Sequence, residues 1–285
     1  MEEYYFLFGI ALLATLSAVV QDLKTREVSN WLNFSFVGIG LAYRAFYSAF
    51  NNDLRFFVLG LLGFLIFFAV ANGFYYSRVF AGGDAKLIMG FGVILPYSSY
   101  WSLIYLSLGF VFILFFAGAV WSLIYSVKIV NENKDKFRRG FRSGFSENKS
   151  ILLLLGALLI MVLILLLLGD EMRGYLWYLF IFIIFTGILY VYLKALDKCM
   201  IVLKGASELS EGEWLYEDVR VGKRWIRKSV HGLSWEEIKL LRRARKKVLI
   251  KDGVPFTPAF LLALIIIFAL YFYGINYLDV LYIFL

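Results

Sequence analysis

The sequence predicts an all-α polytopic membrane protein of about eight transmembrane helices, with a small α+β cytoplasmic insert before the last helix. Three observations carry this reading. Of the 285 residues, 61% are hydrophobic and 19% aromatic, only 18% are charged, and the mean hydropathy is +0.77. Those proportions lie outside the soluble globular range and inside the membrane class. Apolar runs of membrane length recur along the chain, and the loops between them alternate between basic and non-basic.

Residues 4–20 form the first apolar run, just sufficient to cross a bilayer. Glu2 and Glu3 stand where a secretory signal carries basic residues, so this run is expected to stay as an anchor. A polar loop over 21–27 holds Lys24 and Arg26. The second run, 31–50, has an aromatic residue at each end, and Arg44 is expected to snorkel to the interface. After the turn 51–53 comes a third run, 56–76. Residues 85–95 are a short apolar piece closed by Pro96, which barely spans even with the preceding residues. Residues 100–127 are a fifth span, 128–149 a basic loop, and 150–168 and 175–193 two further spans joined by 169–174. The last span covers 259–281.

These runs divide the chain into a membrane core of five spans (1–127), a basic cytoplasmic loop (128–149), a two-helix membrane hairpin (150–193), a soluble insert (194–257) and a final span (258–285). The 128–149 loop carries seven Lys/Arg (128, 134, 136, 138, 139, 142, 149) against Glu132, Asp135 and Glu147. The loops at Lys24/Arg26 and Arg78/Lys86 are basic, whereas 51–53 and 96–99 hold no Lys or Arg. The loop 169–174 holds one Arg against two acids. The positive-inside rule then puts both termini outside, provided the short piece after Asp84 counts as a crossing. The net charge of +8 is therefore an orientation signal, and no nucleic-acid partner is expected.

Within the insert, 214–216, 225–227 and 248–251 read as strands. Ser234 with Glu237 three residues on makes a capping box that opens a helix to about Lys246. Its basic residues (Lys239, Arg242, Arg243, Arg245, Lys246, Lys247) form either a solvated face or a contact for anionic lipid headgroups.

Chemistry concentrates in residues 79–90, VFAGGDAKLIMG. A carboxylate at membrane depth is costly and marks a candidate site. Asp84 reads either as a helix N-cap or as a catalytic carboxylate, with Gly82 and Gly83 leaving its approach free of side chains. Asp22 ends the first span, where a helix dipole disfavours negative charge, and it reads either as an ordinary interfacial acid or as a second catalytic group. The topology puts both acids on the cytoplasmic side at one depth. Asn72 and Lys86 are candidates for lining the same cleft, Asn72 alternatively making a helix-packing hydrogen bond. Lys86, two residues on, points away from Asp84, so no ion pair between them is expected. Two close carboxylates do not both ionise comfortably; one holds a proton while the other activates water, which is the working unit of aspartic proteolysis. That unit needs no metal or cofactor, and none is expected: Cys199 and His231 are single residues that build no cysteine or histidine metal site.

The stretch QDLKTREVSN at 21–30 resembles the first catalytic region of the prepilin/preflagellin (type IV) peptidases, and AGGDAKL at 81–87 resembles their Gly-x-Gly-Asp region. The resemblance covers roughly residues 4–125, and KDGVPFTPAF at 251–260 is similar to the approach to the last span in archaeal members. Ala81 stands where the pattern has its first Gly, and the four-cysteine module of many bacterial members is absent, as in archaeal-type enzymes. The resemblance implies a Gly-x-Gly-Asp intramembrane aspartic endopeptidase with Asp22 and Asp84 as its catalytic pair. Its substrates would be prepilin or preflagellin (archaellin) precursors, cut after a short basic leader at the cytoplasmic face of the cell membrane. The alternative is a proton- or cation-coupled transporter using Asp22 and Asp84.

Overall fold

A computed structural model describes residues 3–77, 79–168, 173–222, 224–229 and 232–275. The loop charge at Arg78, the acids of the 169–172 turn, His231 and the end of the last span beyond 275 lie outside the described residues. The elements run α1 (Glu3–Thr25), α2 (Asn30–Asn51), α3 (Leu54–Tyr76), α4 (Gly82–Ile94), α5 (Tyr100–Glu132), α6 (Lys134–Glu147), α7 (Lys149–Leu168) and α8 (Arg173–Cys199). Then follow β1 (Ile201–Gly205), β2 (Trp214–Leu215), β3 (Val219–Val221), β4 (Arg224–Ile226), α9 (Trp235–Arg243), β5 (Lys247–Lys251) and α10 (Thr257–Phe272).

Among the described residues five helices, α1, α3, α5, α7 and α8, are long and apolar enough to cross a membrane, as in a multi-pass membrane protein. The other three expected spans exist as helices without meeting both criteria. At 22 residues α2 is long enough, but Asn30, Asn33, Arg44 and Ser48 dilute its apolar character. The 13 residues of α4 rise only about 20 Å at 1.5 Å each, short of the ~30 Å hydrocarbon core. In α10, 16 residues are apolar and helical.

The chain divides into two compact units. The first, Met1–Ile124 with Val254–Leu285, packs α1–α4, the start of α5 and α10 around one aromatic-rich core that includes Phe36, Phe67, Phe91, Phe110, Phe260 and Phe268. Glycines set how closely α4 approaches its neighbours. A Cβ on Gly90 would enter the Phe36 ring, and one on Gly92 would lie 2.8 Å from the carbonyl carbon of Gly63 and from Phe67 Cβ. Between α2 and α3, Asn52 takes the left-handed conformation (φ 51°) and Asp53 accepts from the Arg55 N–H, so the two helices turn back sharply.

Arg44 corrects an expectation. It does not snorkel outward but is fully buried. Its Nε donates to Val93 O at 2.6 Å, Nη2 to Leu95 O at 2.7 Å and Nη1 to Phe56 O at 2.8 Å. The guanidinium also lies 4.5 Å from the Phe56 ring centroid and 5.5 Å from that of Tyr4. The cause is the brevity of α4. Its last carbonyls end inside the bundle, where water cannot satisfy them, and the planar five-donor guanidinium does so. Gly60 makes room, since a Cβ there would run into Arg44 Cδ.

The second unit, Tyr125–Gly253, holds the end of α5, α6–α9 and the strands. The basic stretch 128–149, expected as a loop, is helical: α5 continues to Glu132 and α6 follows. Gly140 and Gly144 let α6 lie against Ala195 and Val191 of α8. Lys198 of α8 bonds Glu147 at 2.7 Å. Phe137 meets the Tyr192 ring at 5.4 Å between centroids. Val162, Leu166 and Ile183 form the core between α7 and α8. In the insert β1 and β2 flank β5 antiparallel, with Ile201 opposite Lys251 and Leu215 opposite Ile250; β3 and β4 form a separate hairpin. The capping box is present: Ser234 Oγ accepts from the Glu237 N–H and Glu237 accepts from the Ser234 N–H. The helix is shorter than expected, so only Lys239, Arg242 and Arg243 lie on α9, whereas Lys247 belongs to β5.

Candidate active site

The region 21–30 folds into the end of α1 and a tight return into α2. Arg26 adopts φ 60° and its N–H bonds Asp22 O, closing the helix. Gln21 Oε1 accepts from both the N–H and the hydroxyl of Ser29, at 2.8 and 2.9 Å, which fastens the two ends of the turn. Asp22 thus sits one turn from the end of α1 with its side chain buried.

At that position the dipole of α1 works against a carboxylate, and a different helix compensates. Thr257, the first residue of α10, donates its N–H to Asp22 Oδ2 at 3.2 Å and its hydroxyl to the same oxygen at 2.9 Å. Asp22 therefore lies at the positive N-terminal end of α10, and two donors hold it in place. Thr257 is fully buried. Its signal in the sequence is Pro258, since a Pro in the first turn of a helix marks position 257 as the one that opens it.

Asp84 is not the cap of α4. Ala81 occupies that position without a side-chain bond, and Asp84 falls in the first turn, half-buried. Asp22 and Asp84 belong to the same compact unit and lie within electrostatic reach of each other. Among the described residues Asp84 accepts no side-chain hydrogen bond. Ala81 has φ −68° and ψ 162°, ordinary extended backbone, so the glycine missing from the motif is not demanded by conformation.

Gly82 and Gly83 are open. A Cβ at Gly82 would meet only Tyr75 at 3.7 Å, and one at Gly83 would touch Val28 at 3.4 Å, both ordinary contacts. The protein's own packing does not require these two glycines. Lys86 donates to Asn30 Oδ1 at 2.6 Å, tying the start of α4 to the start of α2. Asn72 turns its amide back onto Phe68 O of its own helix at 2.7 Å. Among the described residues no group of three or more His, Cys, Asp or Glu is placed to hold a metal ion.

A short helix carrying one half-buried acid and the last turn of α1 carrying a second thus place two carboxylates in one compact unit. Residues 7–123 match the type IV leader peptidase family, the region in which the motif resemblance lies. Two curated relatives are preflagellin peptidases. That of Methanocaldococcus jannaschii is 33% identical over 89 residues, and that of Methanococcus voltae 29% identical over 89 residues. Each alignment spans 31% of this chain and 38% of the relative. No solved structure matches.

Proposed function

We propose that the protein is a membrane-embedded aspartic endopeptidase that removes the short basic leader from prepilin or preflagellin precursors. This reading is supported by Asp22 and Asp84, on two different helices of one compact unit and within electrostatic reach of each other, both lying in the region that matches the leader peptidase family. One carboxylate would take a proton from water as it attacks the scissile carbonyl, and the other would supply the proton the carbonyl oxygen needs. The open backbone at Gly82 and Gly83 leaves space for an extended peptide beside the pair. The basic loops favour a cytoplasmic-facing site in the cell membrane with both termini outside, and the basic residues of the insert suit anionic lipid headgroups. The family match lends the transporter alternative no support.

The test is cleavage of a tagged prepilin or preflagellin precursor by the full chain in membranes. Asp22→Asn and Asp84→Asn should each abolish it. Full activity in either variant would refute the assignment.

A further inference from the structure

The pair is not symmetric, and the asymmetry comes from α10. Resting on the reading above, we propose that Thr257 is a positioning residue that makes Asp22 the proton acceptor of the pair and leaves Asp84 as the proton carrier. Asp22 lies at the N-terminus of α10 but also in the last turn of α1, whereas Asp84 lies in the first turn of α4, so helix-end fields do not single out Asp22 as the charged partner. Hydrogen bonds do. Two donors from Thr257 converge on the single oxygen Oδ2 of Asp22, an arrangement that suits a negatively charged oxygen. Asp84 receives no such donor among the described residues, and it lies within electrostatic reach of the charge that Thr257 holds on Asp22. One proton shared between the two carboxyls therefore resides on Asp84.

The reaction then has a direction. Asp22, through Oδ1, which accepts no hydrogen bond among the described residues, takes a proton from water as the water oxygen bonds the scissile carbon. The carbonyl electron pair moves to oxygen, which takes the proton of Asp84. In the collapse, one hydroxyl of the tetrahedral species returns its proton to Asp84, the carbon–nitrogen bond breaks, and the leaving nitrogen takes the proton from Asp22. Both groups end as they began. Thr257 touches neither substrate nor water in this scheme; it acts through Asp22.

Two measurements on the full chain test this, one of them independent of turnover. Infrared spectra near neutral pH should show a protonated-carboxyl stretch that persists in the wild type and disappears in Asp84→Asn. A band that survives Asp84→Asn, or none in the wild type, overturns the assignment whether or not any leader is cut. For precursor cleavage, Thr257→Val removes the hydroxyl at nearly constant shape and should lower kcat by about 10- to 100-fold, the range for a lost charge-assisted hydrogen bond, with KM little changed. Thr257→Ser keeps both donors and should restore kcat. Wild-type kcat in Thr257→Val, or an equal loss in Thr257→Ser, overturns the inference while inactive Asp22→Asn and Asp84→Asn leave the peptidase reading standing. A wild type that cuts no precursor removes that reading, and the infrared result still decides where the proton sits.

Discussion

Gly92→Ala is the sharpest test of how the fold positions Asp84. The added Cβ would stand 2.8 Å from the Gly63 carbonyl carbon and from Phe67 Cβ, against an ordinary minimum near 3.4 Å, with the Gly63 oxygen closer still. The shortfall is 3.4 − 2.8 = 0.6 Å at those atoms. The Gly63 group is helix backbone and cannot swing aside, so α4 must move away from α3. Asp84 lies on that same 13-residue helix and moves with it. A displacement near 1 Å at reacting groups costs on the order of 10²-fold in rate, and overpacking a core costs about 1–3 kcal/mol. Gly73→Ala in α3, where a new Cβ meets nothing within 4 Å, is the matched control. Precursor cleavage in membranes and thermal unfolding in detergent read the two effects. A Gly92→Ala protein that cleaves and melts like Gly73→Ala would show that close α3–α4 contact does not set the position of Asp84.

Gly82→Ala and Gly83→Ala should leave unfolding temperature unchanged, because their Cβ atoms meet only ordinary contacts, yet should lower kcat/KM by about 10-fold or more if substrate backbone passes there; wild-type cleavage in both would move the peptide path elsewhere. Arg44→Met strips donors from the carbonyls of Val93, Leu95 and Phe56 and should destabilise by roughly 2–4 kcal/mol, read by thermal unfolding. Arg44→Lys should recover only part, since an ammonium cannot span three carbonyls with the geometry of the planar fork. Glu147 lies on α6, outside the spans, and the hydrogen bond from Lys198 holds its carboxyl below the ordinary range. A depressed carboxylate contributes stability above its unfolded value, about pH 4, and loses it as pH falls through the folded value. Amide exchange in α6 should therefore quicken on acidification, and Glu147→Gln should remove that dependence.

Local signals were legible in the sequence where the physics was local. Apolar runs became helices, and Ser234 with Glu237 became the expected capping box because a cap spans only three residues. In α6 the high charge masks a helical period: Phe137, Phe141 and Phe145 recur every four residues, and Gly140 and Gly144 mark the face that meets α8. Arg44 was misjudged because a lone cation in an apolar run gives no hint of the carbonyls awaiting it on α4, some fifty positions away. Motif and loop charge single out Asp22 and Asp84 as candidates. The partner of Asp22 is not singled out, because nothing near position 22 announces a donor on α10. The clue was an anomaly, an acid at the wrong end of a helix, which required an outside group to offset it.

The bond between Thr257 and Asp22 joins residues separated by 235 positions. During synthesis at about 5–20 residues per second, roughly 10–50 s pass between the emergence of one and of the other. For that interval α1–α4 can be in the membrane with both acids present and Asp22 still without its two donors. α10 would therefore act as the closing piece of the candidate site, and the insert before it determines how long the chain must wait. Lengthening the insert would delay closure without touching a residue of the pair.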